Sequence, residues 1–149
     1  MNYLEYALEK KKSNPDIEIY GGVSMELIKS VEQQLQIVFP KEYKAFLLEC
    51  GSCSIYDTHI SGLFKSWDNS KSTGSTLHDT LDARTIYGLP QKFIVLEYCI
   101  DENLYVLSIP QSDNEDSKVY SVDIDIENKL SQFNEIFSSF EEYFKFSLD

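Results

Sequence analysis

The sequence predicts a single α+β domain, an antiparallel or mixed sheet with helices packed mainly on one face. Three observations point there. The first half of the chain carries apolar residues at helical spacing, interrupted by short extended stretches. The second half is dominated by runs of alternating or continuous β-branched and aromatic residues. The 149 residues, 42% hydrophobic with ten Tyr and nine Phe, suit one core and show no internal repeat.

Within residues 1–149 the first twenty read as a helix and a short strand. "NYLEYALEKKK" sets Leu4, Ala7 and Leu8 at helical spacing over residues 2–12 and stops before Asn14-Pro15. "DIEIY" alternates, and Gly21-Gly22 is a turn. In "VSMELIKSVEQQLQ", Ser24 caps a helix and Val23 can staple onto Ile28, with Leu27, Ile28, Val31 and Leu35 as the buried stripe. Pro40 suits the first turn of the next helix, whose inward face is Tyr43, Phe46, Leu47 and Cys50, and Gly51 is placed to end it in a left-handed conformation.

Residues 53–64 read as two short strands and "KSWDNSKSTGS" as a loop. "TLHDTLDARTIYG" is a helix capped by Ser75 or Thr76, with Leu77 and Leu81 inward and Gly88 as its stop. "KFIVLEYCI" and "NLYVLSIP" form a hairpin, followed by the loop "QSDNEDSK". "VYSVDIDIE" alternates Tyr120, Val122, Ile124 and Ile126 against Ser121, Asp123, Asp125 and Glu127. The last helix starts at Ser139, with Glu142 completing a capping box and Phe140, Tyr143 and Phe144 inward.

Charge narrows the function. Thirteen Lys and Arg against twenty-five Asp and Glu give a net charge of −12. A phosphate-binding surface needs the opposite sign, which argues against direct contact with nucleic acid or anionic membranes and for a basic protein partner. No apolar run approaches the roughly 18 residues of a membrane span. "MNYLEYALEKKK" lacks the pattern of a signal peptide. Three Cys without framework spacing fit reduced thiols in the cytoplasm.

The combination "SVEQQLQIVFPKEYKAFLLECG" resembles the signature of the SUKH superfamily, carried here by Glu32, Pro40, Tyr43, Phe46, Leu47 and Gly51. "RTIYGLPQKFIVLEYCIDENLYVLSIP" looks like that family's Arg-x-x-Tyr-Gly-x-Pro segment and central hairpin, and "FNEIFSSFEEYFKF" is similar to its closing helix. The resemblance runs from about Gly21 to the C-terminus. Ser52 stands where a second glycine is common, and Asp101-Glu102-Asn103 where an Asp-Gly type turn is usual. The resemblance implies a SUKH-like fold and a protein-binding role without an enzymatic site. It points to an immunity protein that neutralises a bacterial toxin, many of which are nucleases, or to a regulatory interaction module.

Two chemical constellations compete with that expectation. Cys50 and Cys53, with His59 and His78, have residue types that bind zinc, but Cys50 continues an apolar stripe and no second paired motif occurs. A Cys–His nucleophile would need His59 or His78 beside Cys53 or Cys99. No cofactor motif is present. The expected partner site is acidic. If Ile94, Leu96, Tyr98 and Ile100 face the helices, Glu97 and Asp101 share the opposite face, joined by Asp123, Asp125 and Glu127 of the later strand. Trp67 and Asp68, in a polar loop, are candidate anchors beside them.

Overall fold

A computed structural model describes all residues, 1–149. Helix α1 (Tyr3–Ser13) begins where the Asn2 side chain accepts the Glu5 N–H at 2.9 Å. Its inward residues are Tyr3 and Ala7, both fully buried, whereas Leu8 is about half exposed. The expected Leu4–Ala7–Leu8 stripe is therefore rotated by one position. The small Ala7 permits close approach, and Tyr3 reaches across to donate its hydroxyl to Glu42 Oε2 at 2.6 Å.

Helix α2 (Met25–Leu35) is capped by Ser24, which accepts the Leu27 N–H, and buries Ile28, Val31 and Leu35. Helix α3 (Lys41–Glu49) follows, with Pro40 as its N-cap and Tyr43, Phe46 and Leu47 buried. Glu32 holds the link between them. Its carboxylate accepts the Phe39 N–H at 2.7 Å and pairs with Lys44 at 3.3 Å. Cys50 is the C-cap, and Gly51 turns the chain at φ +70°.

Two antiparallel sheets share the domain. Strands β1 (Glu18–Ile19), β2 (Cys53–Ile55) and β3 (Thr58–Ile60) form the smaller one in that order. The larger runs β4 (Phe93–Cys99), β5 (Asn103–Ser108), β6 (Val119–Asp123) and β7 (Asn134–Phe137), each antiparallel to its neighbour. The short strand β7, not anticipated from the sequence, closes one edge.

Helix α4 (Thr76–Tyr87) guards the other edge. Thr76 Oγ1 donates to Val95 O at 3.1 Å and Thr80 Oγ1 accepts the Val95 N–H at 3.0 Å, so the free backbone groups of Val95 are satisfied by side chains, while Leu96 O accepts the Ser61 N–H at 2.7 Å. This explains why Thr76 and Thr80 are buried on a helix face that also holds Asp79, Leu77 and Ala83. It also corrects Leu81, expected inward but 37% exposed. Arg84 donates to Leu35 O at 2.8 Å and ties α4 to the end of α2. Helix α5 (Phe140–Leu148) is capped by Ser139 and packs Phe140, Tyr143, Phe144 and Leu148 inward.

The larger core lies between the helices and one sheet face, where Ile94, Leu96, Leu107 and Val119 meet Tyr3, Phe46 and Phe144. The smaller core covers the other face, where Val95, Leu104, Val106 and Val122 pack with Ala83, Tyr87 and Leu89.

Two strand expectations are corrected. In β4 the register shifts between Val95 and Glu97, a bulge that brings Glu97 opposite Tyr105 and Tyr98 opposite Leu104. After the bulge, Tyr98 joins the smaller core and Glu97 lies on the same face as Ile94 and Leu96. Ile100, expected inward, is exposed in the hairpin turn. Strand β6 ends at Asp123, so Asp125 and Glu127 are not strand residues. Asp125 Oδ1 accepts the Glu127 and Lys129 N–H groups at 2.8 and 2.9 Å, Asn128 adopts φ +60°, and Ile126 is fully exposed. A self-bonded aspartate followed by a left-handed Asn breaks the strand despite its apolar alternation.

Candidate protein-binding surface

The acids expected on one strand face occupy two adjoining places. At one end of the larger sheet, the β4–β5 turn carries Asp101 and Glu102, and the turn after β6 carries Asp125 and Glu127. Ile124 donates its N–H to Glu102 O at 2.9 Å, which holds the two turns side by side. Asp123 ends β6 opposite Asn103. The one lysine in these turns, Lys129, lies 3.3 Å from Glu127. Asp101 also accepts the Tyr87 hydroxyl at 3.1 Å and returns its N–H to the same oxygen at 3.2 Å, so its odd left-handed backbone is anchored to α4. Glu102 belongs to this acidic end and was not singled out in the sequence. Its position beside Asp101 in the short turn between two strands was the available signal.

Glu97 is elsewhere on the same face. It is half-buried beneath α5, and Oε1 accepts the Tyr143 hydroxyl at 2.7 Å. Oε1 makes the carboxylate's one hydrogen bond within the chain, and Oε2 is open to solvent. Burial pushes the carboxyl above its ordinary range, partly offset by the Tyr143 bond. The carboxylate floors a cleft of about 390 Å³ lined also by Thr58, Tyr105, Ile136, Phe137 and Phe146. On its other side Glu97 borders a smaller cavity of about 160 Å³, with Asp57, His59, Asp79 and Cys99. Neither cavity has a lysine or arginine in its lining. A wider depression of about 650 Å³ between Lys29, Gln33 and Gln91 has four glutamines in its lining, and its Glu32 is already engaged.

Glu97 supplies a stability prediction. Its raised pKa means that the ionised form is disfavoured by folding. The cost is absent below the unfolded-state pKa and grows as pH rises through the folded-state value. Glu97→Gln keeps an acceptor for Tyr143 and removes the charge. The variant is expected to melt higher than the parent at pH 7, with the two curves converging near pH 4. A lower melting temperature at pH 7 would mean that the charge itself stabilises the fold.

Trp67 and Asp68 stand apart from the acidic end. Trp67 is 55% exposed and packs against Phe64 at 4.4 Å and Tyr20 at 6.2 Å between ring centres. Asp68 closes its own loop, accepting from the Ser70 N–H and hydroxyl. No hydrogen bond or ring contact joins either residue to Asp123.

The thiols and imidazoles occupy structural positions. Cys50 and Cys53 are fully buried and their pKa values are pushed up to about 12 by burial. Burial also raises Cys99. All three shifts run opposite to what a nucleophilic or metal-binding thiolate requires. His59 Nε2 faces Ser52 Oγ at 3.0 Å and Gly74 O at 3.2 Å, and burial lowers its pKa. His78 Nδ1 lies 3.0 Å from Asp79 Oδ1. Asp79, which the sequence reading passed over, is fully buried and accepts from Ser61 Oγ and the Gly74 N–H. It pins the start of α4 to the loop before it.

No helix is long and apolar enough to cross a membrane. The residues of the opening resemblance serve the fold: Glu32 and Arg84 fasten links, Tyr43 donates to Ser61 O at 2.6 Å, and Tyr87 anchors the hairpin turn. No curated protein matches the chain. The SUKH_5 family model, described as SMI1-KNR4 cell-wall, matches residues 2–149, including the first helix that lay outside the sequence resemblance, and the chain belongs to the SUKH superfamily.

Proposed function

We propose that the protein is an intracellular immunity protein that binds and neutralises a cognate bacterial toxin, a nuclease domain with a basic surface. The observation that carries this reading is the acidic end of the larger sheet. Asp101, Glu102, Asp123, Asp125 and Glu127 gather there with Lys129 as the local cation, and they adjoin the cleft of Glu97. Interspersed lysines would serve solubility without clustering like charges. Nuclease sites are basic because they hold phosphates. An acidic protein competes with substrate for that charge or blocks access beside it. Trp67 and Asp68 form a second contact region, with an exposed ring of the kind enriched in binding hot spots.

The test is co-expression with toxin domains encoded beside the gene, scored by survival of the host cells. Charge reversal at Asp123 and Glu127 to Lys is expected to leave the fold intact, because both side chains are exposed and Asp125, which closes the turn, is spared. Binding should weaken at least tenfold, about 1.4 kcal/mol, association should lose much of its salt dependence, and rescue should fail. Unchanged affinity with unchanged salt dependence would move the contact to the loops at 57–75 and 110–118.

A second reading follows from the cell-wall description of the matched family model: a regulatory interaction module with a non-toxin partner. It predicts capture of a host protein by the same acidic end and no rescue from any neighbouring toxin.

A further inference from the structure

We propose that the cleft above Glu97 is an arginine pocket, which receives one guanidinium from the protein partner. The proposal rests on the protein-binding reading given above and assigns that surface its anchor.

Four observations on the cleft converge. Its floor is a half-buried carboxylate with one oxygen bonded to Tyr143 and the other open to solvent. Its walls are mainly aromatic and aliphatic, Tyr105, Phe137, Phe146 and Ile136, with Thr58, Ser121 and Ser147 completing the lining. Phe146 is 70% exposed and Ile136 39%, and Phe146 packs on Phe137 with ring centres 5.2 Å apart. No cation of the chain enters the lining.

The occupant follows from this chemistry. A neutral apolar side chain would cover the walls and take Glu97 Oε2 out of water without giving it a partner, which is costly. A cation satisfies it. A guanidinium is planar, stacks on aromatic faces, hydrates weakly and presents several donors in one plane, whereas an ammonium is a compact, strongly hydrated charge. Aromatic walls over a single recessed carboxylate therefore favour arginine over lysine.

The cleft is also continuous with the acidic end. Glu97, Tyr105 and Ser121 stand opposite one another across β4, β5 and β6. Asp123 is two residues farther along β6 on the same face, roughly 7 Å away. A basic partner drawn to the exposed acids thus meets the recessed one next.

The test uses the free protein and small probes. N-acetyl-arginine methylamide is titrated against isotopically labelled protein and followed by NMR, beside the corresponding lysine and citrulline compounds. Citrulline keeps the shape and loses the charge. The arginine probe is expected to give saturable millimolar shifts centred on Tyr105, Phe137 and Phe146. The lysine probe should bind several-fold more weakly and citrulline should give no saturable shifts. Glu97→Gln should weaken the arginine response at least tenfold while its spectrum stays folded. Phe146→Ser, at an exposed position, should weaken it without loss of fold. No saturable shift, shifts spread evenly over Asp123, Asp125 and Glu127, equal binding of the lysine probe, or an unaltered response in Glu97→Gln would each overturn the assignment. No toxin enters this titration. A failed titration leaves the rescue test standing, and a failed rescue with a positive titration would keep the pocket and discard the toxin.

Discussion

Phe46→Ala is expected to destabilise the protein by about 3–5 kcal/mol, as truncation of buried aromatics commonly does. The ring is fully buried and central to an aromatic cluster. It lies 5.3 Å from Phe140, 5.6 Å from Phe144, 5.8 Å from Tyr43 and 6.3 Å from Tyr3, all between ring centres. These partners come from α1, α3 and α5, so the ring joins three helices. They are also large and mutually packed, and cannot collapse into the space left behind. Against a typical domain stability of about 5–15 kcal/mol, the loss is enough to reduce soluble yield. Urea denaturation of parent and variant would measure it. A midpoint within error of the parent would mean that the cluster repacks around Ala.

The parts of the fold that were legible share a physical cause. α3 shows its inward face because Tyr43, Phe46 and Leu47 are all apolar and face one layer. Ser24, Ser139, Gly51 and Gly88 mark helix ends because each has a local job that needs few other residues. The failures come from non-local demands. α4 turns Thr76 and Thr80 inward because they meet the open backbone of β4, a strand that begins six residues after the helix ends. Hydrophobicity alone put Leu81 there instead.

The site was half legible for the same reason. The excess of acids could be counted, but their arrangement depended on two backbone events. The bulge in β4 has no sequence marker in "KFIVLEYCI", and it moves Glu97 under α5 and Tyr98 to the opposite face. The turn after β6 did have one, in Asp125 and Asn128, but Ile124 and Ile126 masked it by continuing the alternation. The result separates two classes of residue. Glu32, Arg84 and Tyr87 are engaged with backbone groups and hold the fold. Asp123 and Glu127 point to solvent, and Glu97 keeps one carboxylate oxygen without a partner in the chain.

Gly51→Ala is the second large effect, expected to cost roughly 3 kcal/mol or more by combining left-handed strain with overpacking. Gly51 sits at φ +70°, and a Cβ there would lie 2.1 Å from Gly21 O and 2.9 Å from Leu63 O. Both obstacles are backbone atoms, so no side chain can swing aside. Nor can the segments easily separate. Gly51 O accepts the Leu63 N–H at 2.8 Å, and Ser52 O accepts the Tyr20 N–H at 3.1 Å, which fastens the neighbouring chains on both sides. Gly88→Ala is the matched control. Its φ is +71°, but a Cβ there meets nothing within 4 Å, so its cost should be the left-handed strain alone, about 1–2 kcal/mol. The difference between the two urea midpoints isolates the close approach from the dihedral. Equal midpoints would show that the chain spreads at Gly51 without loss, and that the glycine of this motif serves its backbone angle only.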